Sequence, residues 1–302
     1  MNDVAKNYFN NAKIVNKIGE IECSNPRTPV GEFGSKHPDV IAYVDFKAID
    51  KALLDSPISQ FDILVMDAIY TLSVNGKNTF TAEMIASVIA GKDVGQDRSS
   101  STRFKMIEDV IERLSLIRIE IDCLTSPGWE SLRAQIPDLE AYYGDYVLPV
   151  SHLRIKSKIK KFDKKIYILK NTPVIYKYAS ALGRIVSVPA ALLSIPGTRE
   201  DVLFSILKRE VIKTVALMKN TNNNYNSRSI RYEKSDGEVR SFFERIGLRK
   251  EDYANEGQWR KKKSKINAMM SQIMTHLVEE KYIKGYSFNK DGGTIIGVAV
   301  EI

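Results

Sequence analysis

Apolar residues at helical spacing divide the chain into two runs of similar order. In the first, Phe61, Leu64, Val65, Ala68, Ile69 and Leu72 recur three and four residues apart between Ser59 and the pair Asn75-Gly76. That predicts a helix capped by Ser59 and stopped by Asn-Gly. Thr81 is placed to cap a second, short helix over 82–90 that ends at Gly91. A third helix, about 102–116, gathers Phe104, Ile107, Val110, Ile111 and Leu114 on one face. Ile117 to Ile121 then alternates apolar and polar, as a half-buried strand does. Its expected partner is 146–150 or 165–169, with 125–145 as an enlarged insert. Upstream, 40–47 reads as a strand, and the Pro and Gly breaks within 25–38 make 1–38 a peripheral arm.

The second run starts at Thr198, which with Asp201 forms a variant of the capping box. The helix it opens turns Val202, Leu203, Ile206, Leu207, Val211, Val215 and Met218 inward, and Lys208, Arg209, Lys213 and Lys219 are expected on the other face. Ser229 to Tyr232 is a short extended piece, and 236–246 a helix closed by Gly247. A last helix from about Trp259 leads into a hairpin of 282–288 and 294–300 around a Gly-bearing turn. Before it, 173–179 reads as a short helix and Ile195-Pro196-Gly197 as a break. Each run is therefore helices followed by strands, the order of a helix-turn-helix with an appended hairpin. The expected fold is α+β, with tandem winged-helix domains at 39–170 and 198–302, joined by a linker at 171–197.

The last helix carries the candidate chemistry. Taking Ile266 as reference at about 100° per residue, Met269, Met270, Ile273, Leu277 and Glu280 fall on one stripe, which is expected to be core. The opposite face holds Arg260, Lys261, Ser264, Asn267, Ala268, Ser271 and Thr275, without a carboxylate. Small side chains permit close approach to a major groove. Arg and Asn carry edges that read bases, and Lys neutralises phosphate. Lys263 and Lys265 flank that face, while Lys262 falls on the core side. Lys284, Tyr286 and the turn residue Lys290 extend the basic surface into the hairpin, and Arg228 and Arg231 add to it. A second contact is expected in the first domain at Ser100, Arg103 and Lys105, with Lys158, Lys160 and Lys161 in the run KSKIKKFDKK.

Charge sharpens this picture. The chain of 302 residues has net charge +8, but residues 151–302 hold 30 Lys and Arg against 15 Asp and Glu. Residues 1–150 hold 15 against 22, so the C-terminal half alone attracts polyanions. A solvated Lys-rich surface fits the same count and would bind weakly, with no sequence preference. Two cysteines without a C-x-x-C, and three scattered histidines, give no zinc site or disulfide framework and suit a reducing cytoplasm. No apolar run approaches membrane length, and the first residues lack the apolar core of a secretory signal. Gly91-Lys92 is followed by Asp93, so there is no phosphate-binding P-loop, and no hydrolase or metalloprotease motif is present. The expectation is a protein without enzymatic activity, cofactor or metal.

Two stretches resemble a known family. RKKKSKINAMMSQIMTHLVEEKYIKGYSFNKDGGTI is similar to the basic helix followed by "FIKGYEFNKKG" in Rep-type replication initiators of bacterial plasmids and mobile elements. NTPVIYKYA, followed by VPAALLSIPGTREDVLFSILKREVIKTVALMKN, resembles the segment that opens their second domain. The resemblance covers about two-thirds of the chain; the N-terminal half matches only in element order. It implies two winged-helix domains in a bacterial cytoplasmic protein. The second would read repeated origin sites in double-stranded DNA through the helix near Arg260. The first would contact the DNA backbone and form a dimer interface, giving a homodimer or a monomer–dimer equilibrium. A host helicase or its loader would follow. The unusual 125–145 insert puts that dimer face in question. A winged-helix transcriptional regulator or partition factor fits the same residues.

Overall fold

Helix α1 (Gln60–Val74) begins at Ser59, whose hydroxyl accepts the Asp62 N–H while the Asp62 carboxylate accepts the Ser59 N–H. This reciprocal capping box satisfies two donors that a helix start leaves open. Asp62 is also bridged to Arg113, which ties α1 to the third helix. The coordinates, a computed structural model, describe residues 6–12, 15, 27–29, 40–44, 58–93, 101–122, 142–157, 162–181, 183–196, 201–220, 227–233 and 240–302. The chain is α+β and falls into two compact units. One gathers Asn10–Val88 and Val94–Ile185, the other Met1–Phe9, Ile89–Asp93 and Val186–Ile302.

In the first unit, helix α2 (Ala82–Ala90) is capped as expected by Thr81, whose hydroxyl accepts the Met84 N–H at 3.3 Å. Helix α3 (Ser101–Leu114) buries Ile107, Val110, Ile111 and Leu114. A two-residue strand, β4 (Thr79–Phe80), lies between α1 and α2. It is too short to show alternation and was not expected. The strand after α3, β5 (Ile117–Asp122), does not join the hairpin that follows it. It pairs with β3 (Val40–Val44) and β6 (Tyr142–Tyr146) in a four-stranded sheet completed by β2 (Arg27–Pro29). Of the expected partners, 146–150 is met only at its start, where Tyr146 faces Arg118 and the Val147 N–H bonds the Ile117 carbonyl at 2.8 Å, and 165–169 pairs elsewhere. The later hairpin is β7 (Val150–Ser157) and β8 (Phe162–Leu169), which pairs through β8 with β4 in the order β4-β8-β7. The buried rings of Phe80 and Tyr167 stack at 6.2 Å across that pairing, which gives β8 a reason to choose β4. The 125–141 part of the insert lies outside the described residues.

Residues expected to form a loose arm are partly built in. Strand β1 (Lys6–Asn10) pairs with β9 (Ile185–Pro189), and Asn7, Phe9, Asn10, Ala12 and Val15 are buried. Asn10 donates its backbone N–H to the buried Asp67 at 2.9 Å, and Tyr176 of helix α4 (Val174–Ala181) donates its hydroxyl to the same oxygen at 2.6 Å. Buried polar groups satisfied this way fix one arrangement. No periodic apolar pattern announces it.

The second unit repeats the element order of the first. Helix α5 (Val202–Asn220), strand β10 (Ser227–Arg231), helix α6 (Phe242–Arg245) and helix α7 (Glu256–Glu279) precede the hairpin β11 (Gly285–Asp291) and β12 (Thr294–Glu301). The sheet order is β10-β12-β11, the counterpart of β4-β8-β7. Asp201 itself caps α5, accepting the Phe204 N–H at 2.7 Å; Thr198 lies outside the described residues. Helix α6 is shorter than expected, because Ser241 forms a capping box with Glu244 and starts it there; 236–239 lie outside the described residues. Gly292 and Gly293 both take positive φ, 51° and 84°, as the tight turn of a hairpin requires. A Cβ on Gly297 would stand 2.6 Å from the Ile230 carbonyl, so glycine is what lets β10 and β12 approach.

The largest departure concerns α5. Lys208, Arg209 and Lys213, expected on its outer face, are 0%, 3% and 7% exposed. Lys208 Nζ donates to the Leu193 carbonyl at 2.7 Å. Arg209 lies over the Phe9 ring, and with Lys213 and Arg245 it surrounds the buried Glu210 at 3.7, 2.7 and 3.2 Å respectively. Burial pushes the Glu210 carboxyl up, but Lys213, Arg245 and Arg209 together outweigh it and hold it below the ordinary glutamate range. The helix is covered on nearly all sides, so a periodicity argument that assigns one wet face does not apply to it.

Candidate nucleic-acid interface

Helix α7 is positioned by its apolar stripe. Trp259, Ile266, Met269, Met270, Ile273, Met274, His276 and Leu277 are buried, and α7 packs on α5. His276 Nε2 bonds the Ala191 carbonyl at 3.2 Å, so this histidine is structural. The helix starts one turn earlier than expected, with Asn255 as N-cap accepting the Gln258 N–H at 2.9 Å. That turn adds Glu256, an acidic residue absent from the expected face. Lys250 bonds its carboxylate at 3.0 Å and lowers its pKa, and Arg260 stands at 3.8 Å.

Arg260, Lys261, Ser264, Lys265 and Ala268 are exposed, while Lys263, Asn267 and Ser271 are half-buried. Lys261 has no ion pair among the described residues. Lys265 stands 3.4 Å from Asp201, and Lys263 lies over the Trp259 ring at 5.7 Å. Lys262 is half-buried, and burial, with Lys265 nearby, lowers its pKa.

Two tyrosines tie this face to the sheet. Tyr286 of β11 contacts Ser271 Oγ at 2.8 Å and Thr275 Oγ1 at 3.1 Å, so its hydroxyl and that of Ser271 clamp hairpin to helix. Tyr232, following β10, donates to Asn267 Oδ1 at 2.7 Å. The other expected contacts spread over the sheet. Lys290 is exposed at the turn, beside a register shift between Asn289 and Lys290. Lys284 is exposed just before β11. Arg231 is exposed on the outer side of β10, whereas Arg228 shares the side of the buried Ile230 and is half-buried.

The second expected contact is not assembled in the same way. Arg103 is 6% exposed, because it lies on the buried face of α3. Lys105 is exposed. Ser100, Lys158, Lys160 and Lys161 lie outside the described residues. Cations on the described part of the β7–β8 hairpin face carboxylates: Arg154 forks onto Asp163 at 2.9 and 2.7 Å, Lys164 meets Glu83 at 2.9 Å, and Lys165 bonds Glu112.

No protein-family profile and no curated protein matches the sequence. Among solved structures the chain is similar to a crystal structure of RctB domains 2-3, RctB-155-483. Identity is 12% and the TM-score 0.40, over 87% of this chain and 86% of that one. A selenomethionine form of RctB domains 2 and 3 gives 13% identity and TM-score 0.40, over 87% and 85%. Likeness of that degree leaves function to be argued from the side chains.

The apolar pattern along the sequence did not announce Glu256 at the start of α7, Asp201 beside Lys265, or Tyr232 against Asn267. Asn255 followed by Glu256 is an N-cap signal that would have found the earlier start. Among the described residues no group of three or more His, Cys, Asp or Glu is placed to hold a metal ion, and no helix is long and apolar enough to cross a membrane.

Proposed function

We propose that the chain is a sequence-specific double-stranded DNA-binding protein built from two winged helices, in which α7 enters the major groove and the β11–β12 hairpin reaches the adjacent backbone. The observation that carries this is the exposed α7 surface of Arg260, Lys261, Ser264, Lys265 and Ala268, small at its centre and basic at its N-terminal end. Of the carboxylates beside it, Glu256 is already engaged by Lys250 and Asp201 stands 3.4 Å from Lys265. The helix N-terminus adds positive partial charge where a phosphate would lie.

Within that reading the protein is a non-enzymatic replication initiator acting on repeated sites at a plasmid or mobile-element origin, and host replication proteins follow it. Selection from random duplex DNA tests the reading: one enriched motif is expected, and equal retention of all sequences overturns it. A transcriptional regulator or partition factor reads DNA by the same chemistry. Replication of a plasmid carrying the selected repeats only when the protein is supplied separates the initiator from both. Nicking of supercoiled DNA with Mg²⁺ or Mn²⁺, lost on changing a carboxylate, would overturn the non-enzymatic reading.

A homodimer is supported by the outer face of the first unit's wing. Leu153, Ile155 and Ile168 are exposed on one side of β7 and β8, and β7 is an edge strand. Exposed apolar edges of this kind are pairing surfaces. Sedimentation of Leu153→Asp is expected to show monomer where the wild type shows dimer; an unchanged dimer places the interface elsewhere.

A further inference from the structure

Tyr232 is 2% exposed, with its ring against Phe242 at 5.6 Å and Phe243 at 5.0 Å. Its backbone N–H is bound to the Ile296 carbonyl at 3.0 Å, so the residue has little freedom. The hydroxyl donates to Asn267 Oδ1 at 2.7 Å. Burial raises the Tyr232 pKa, which keeps that hydroxyl a donor. Asn267 is half-exposed and lies one turn from both Ser264 and Ser271 on the basic side of α7.

An asparagine amide has an acceptor end and a donor end of nearly the same shape, so an unheld side chain offers either one to a ligand. Here the acceptor end is turned to a buried donor, and the N–H₂ remains to face outward. An asparagine that reads adenine uses both ends at once, accepting from N6 and donating to N7. One whose carbonyl is turned inward presents its N–H₂ to the groove, which suits the purely acceptor edges of guanine (O6 and N7) or thymine (O4) better than adenine, where N7 is flanked by the N6 donor that the inward carbonyl no longer meets.

We propose that Asn267 is a base-reading residue whose amide is fixed by Tyr232 so that it donates, and that the base it reads is guanine or thymine and not adenine. Tyr232 acts as a positioning residue and does not itself touch DNA. This rests on the DNA-reading role of α7 proposed above.

The test uses the full chain and the duplex it selects, with each base pair replaced in turn and affinity followed by fluorescence anisotropy. Asn267→Ala is expected to lose roughly tenfold discrimination at one base pair, with guanine or thymine preferred there by the wild type. Asn267→Asp keeps the carbonyl facing Tyr232 but cannot donate, and is expected to lose the same position. Tyr232→Phe keeps the ring and is expected to flatten that position selectively. Adding it to Asn267→Ala should change the profile no further. A uniform loss across all positions in Tyr232→Phe makes the tyrosine merely structural and overturns its part. An adenine preference at the affected position, or an unchanged profile in Asn267→Ala, overturns the whole. If the wild type selects no sequence, the DNA-reading proposal itself has failed; if it selects one and Asn267→Ala reads it unchanged, only this inference has.

Discussion

Helices α5 and α7 carry similar basic sequences and use them in opposite ways. On α5, Lys208, Arg209 and Lys213 are buried, Lys208 against the Leu193 carbonyl and the other two with Arg245 in an enclosed group around Glu210. On α7, Arg260, Lys261 and Lys265 face outward, with Lys261 unpaired among the described residues. A cation removed from water must be met by a carboxylate, a carbonyl or an aromatic face, and then it has little left to offer a ligand. A cation left in water contributes little to stability and keeps its charge for a partner. Lysine and arginine content therefore does not locate a binding surface; solvent exposure does.

The contrast can be broken first at Glu210. Replacing it by Gln leaves buried cations without their carboxylate and is expected to destabilise the protein by about 3–5 kcal/mol in denaturant unfolding. Because its folded pKa is depressed, the stabilisation it gives is present above the ordinary glutamate value of 4.5 and is lost as pH falls through the lower folded value. The gap between wild type and Glu210→Gln should accordingly narrow below that pH. A gap that is small or independent of acid would show that the cluster does not hold α5 in place.

Next comes Arg260→Ala, expected to weaken specific DNA binding by about 1–3 kcal/mol while changing stability by no more than about 0.5 kcal/mol, since the side chain is exposed. Loss of stability without loss of binding would reverse the assignment of the two helices. The smallest effect belongs to Lys290→Ala at the hairpin turn. Titrations at several salt concentrations should show weaker binding to all sequences alike and a salt slope reduced by about one. A change confined to one base position would make this lysine a reader of bases.

Much of the local structure was legible along the chain. Ser59, Thr81, Asn75-Gly76 and Gly91 mark helix ends because capping depends on neighbours only a few residues away. The core stripe of α7 and the exposure of Arg260, Lys261, Ser264 and Ala268 followed from one period. What escaped is of another kind. The choice of β8 for β4, with β5 directed to a different sheet, joins residues far apart in sequence. Arg103 looked available but lies on the buried face of α3. The Tyr286 hydroxyl clamps the hairpin to Ser271 and Thr275, a contact that no period along the chain announces.

By itself, then, the sequence determined where most helices begin and end, which side of α7 is core, and that the positive charge collects in the C-terminal half. Those properties are set by short-range geometry and by counting. Only the tertiary structure decided which cations are enclosed with Glu210 and which remain in water, which strands share a sheet, and that Tyr232 takes one end of the Asn267 amide. Each depends on what a distant segment places beside the residue, and a one-dimensional period carries no record of that.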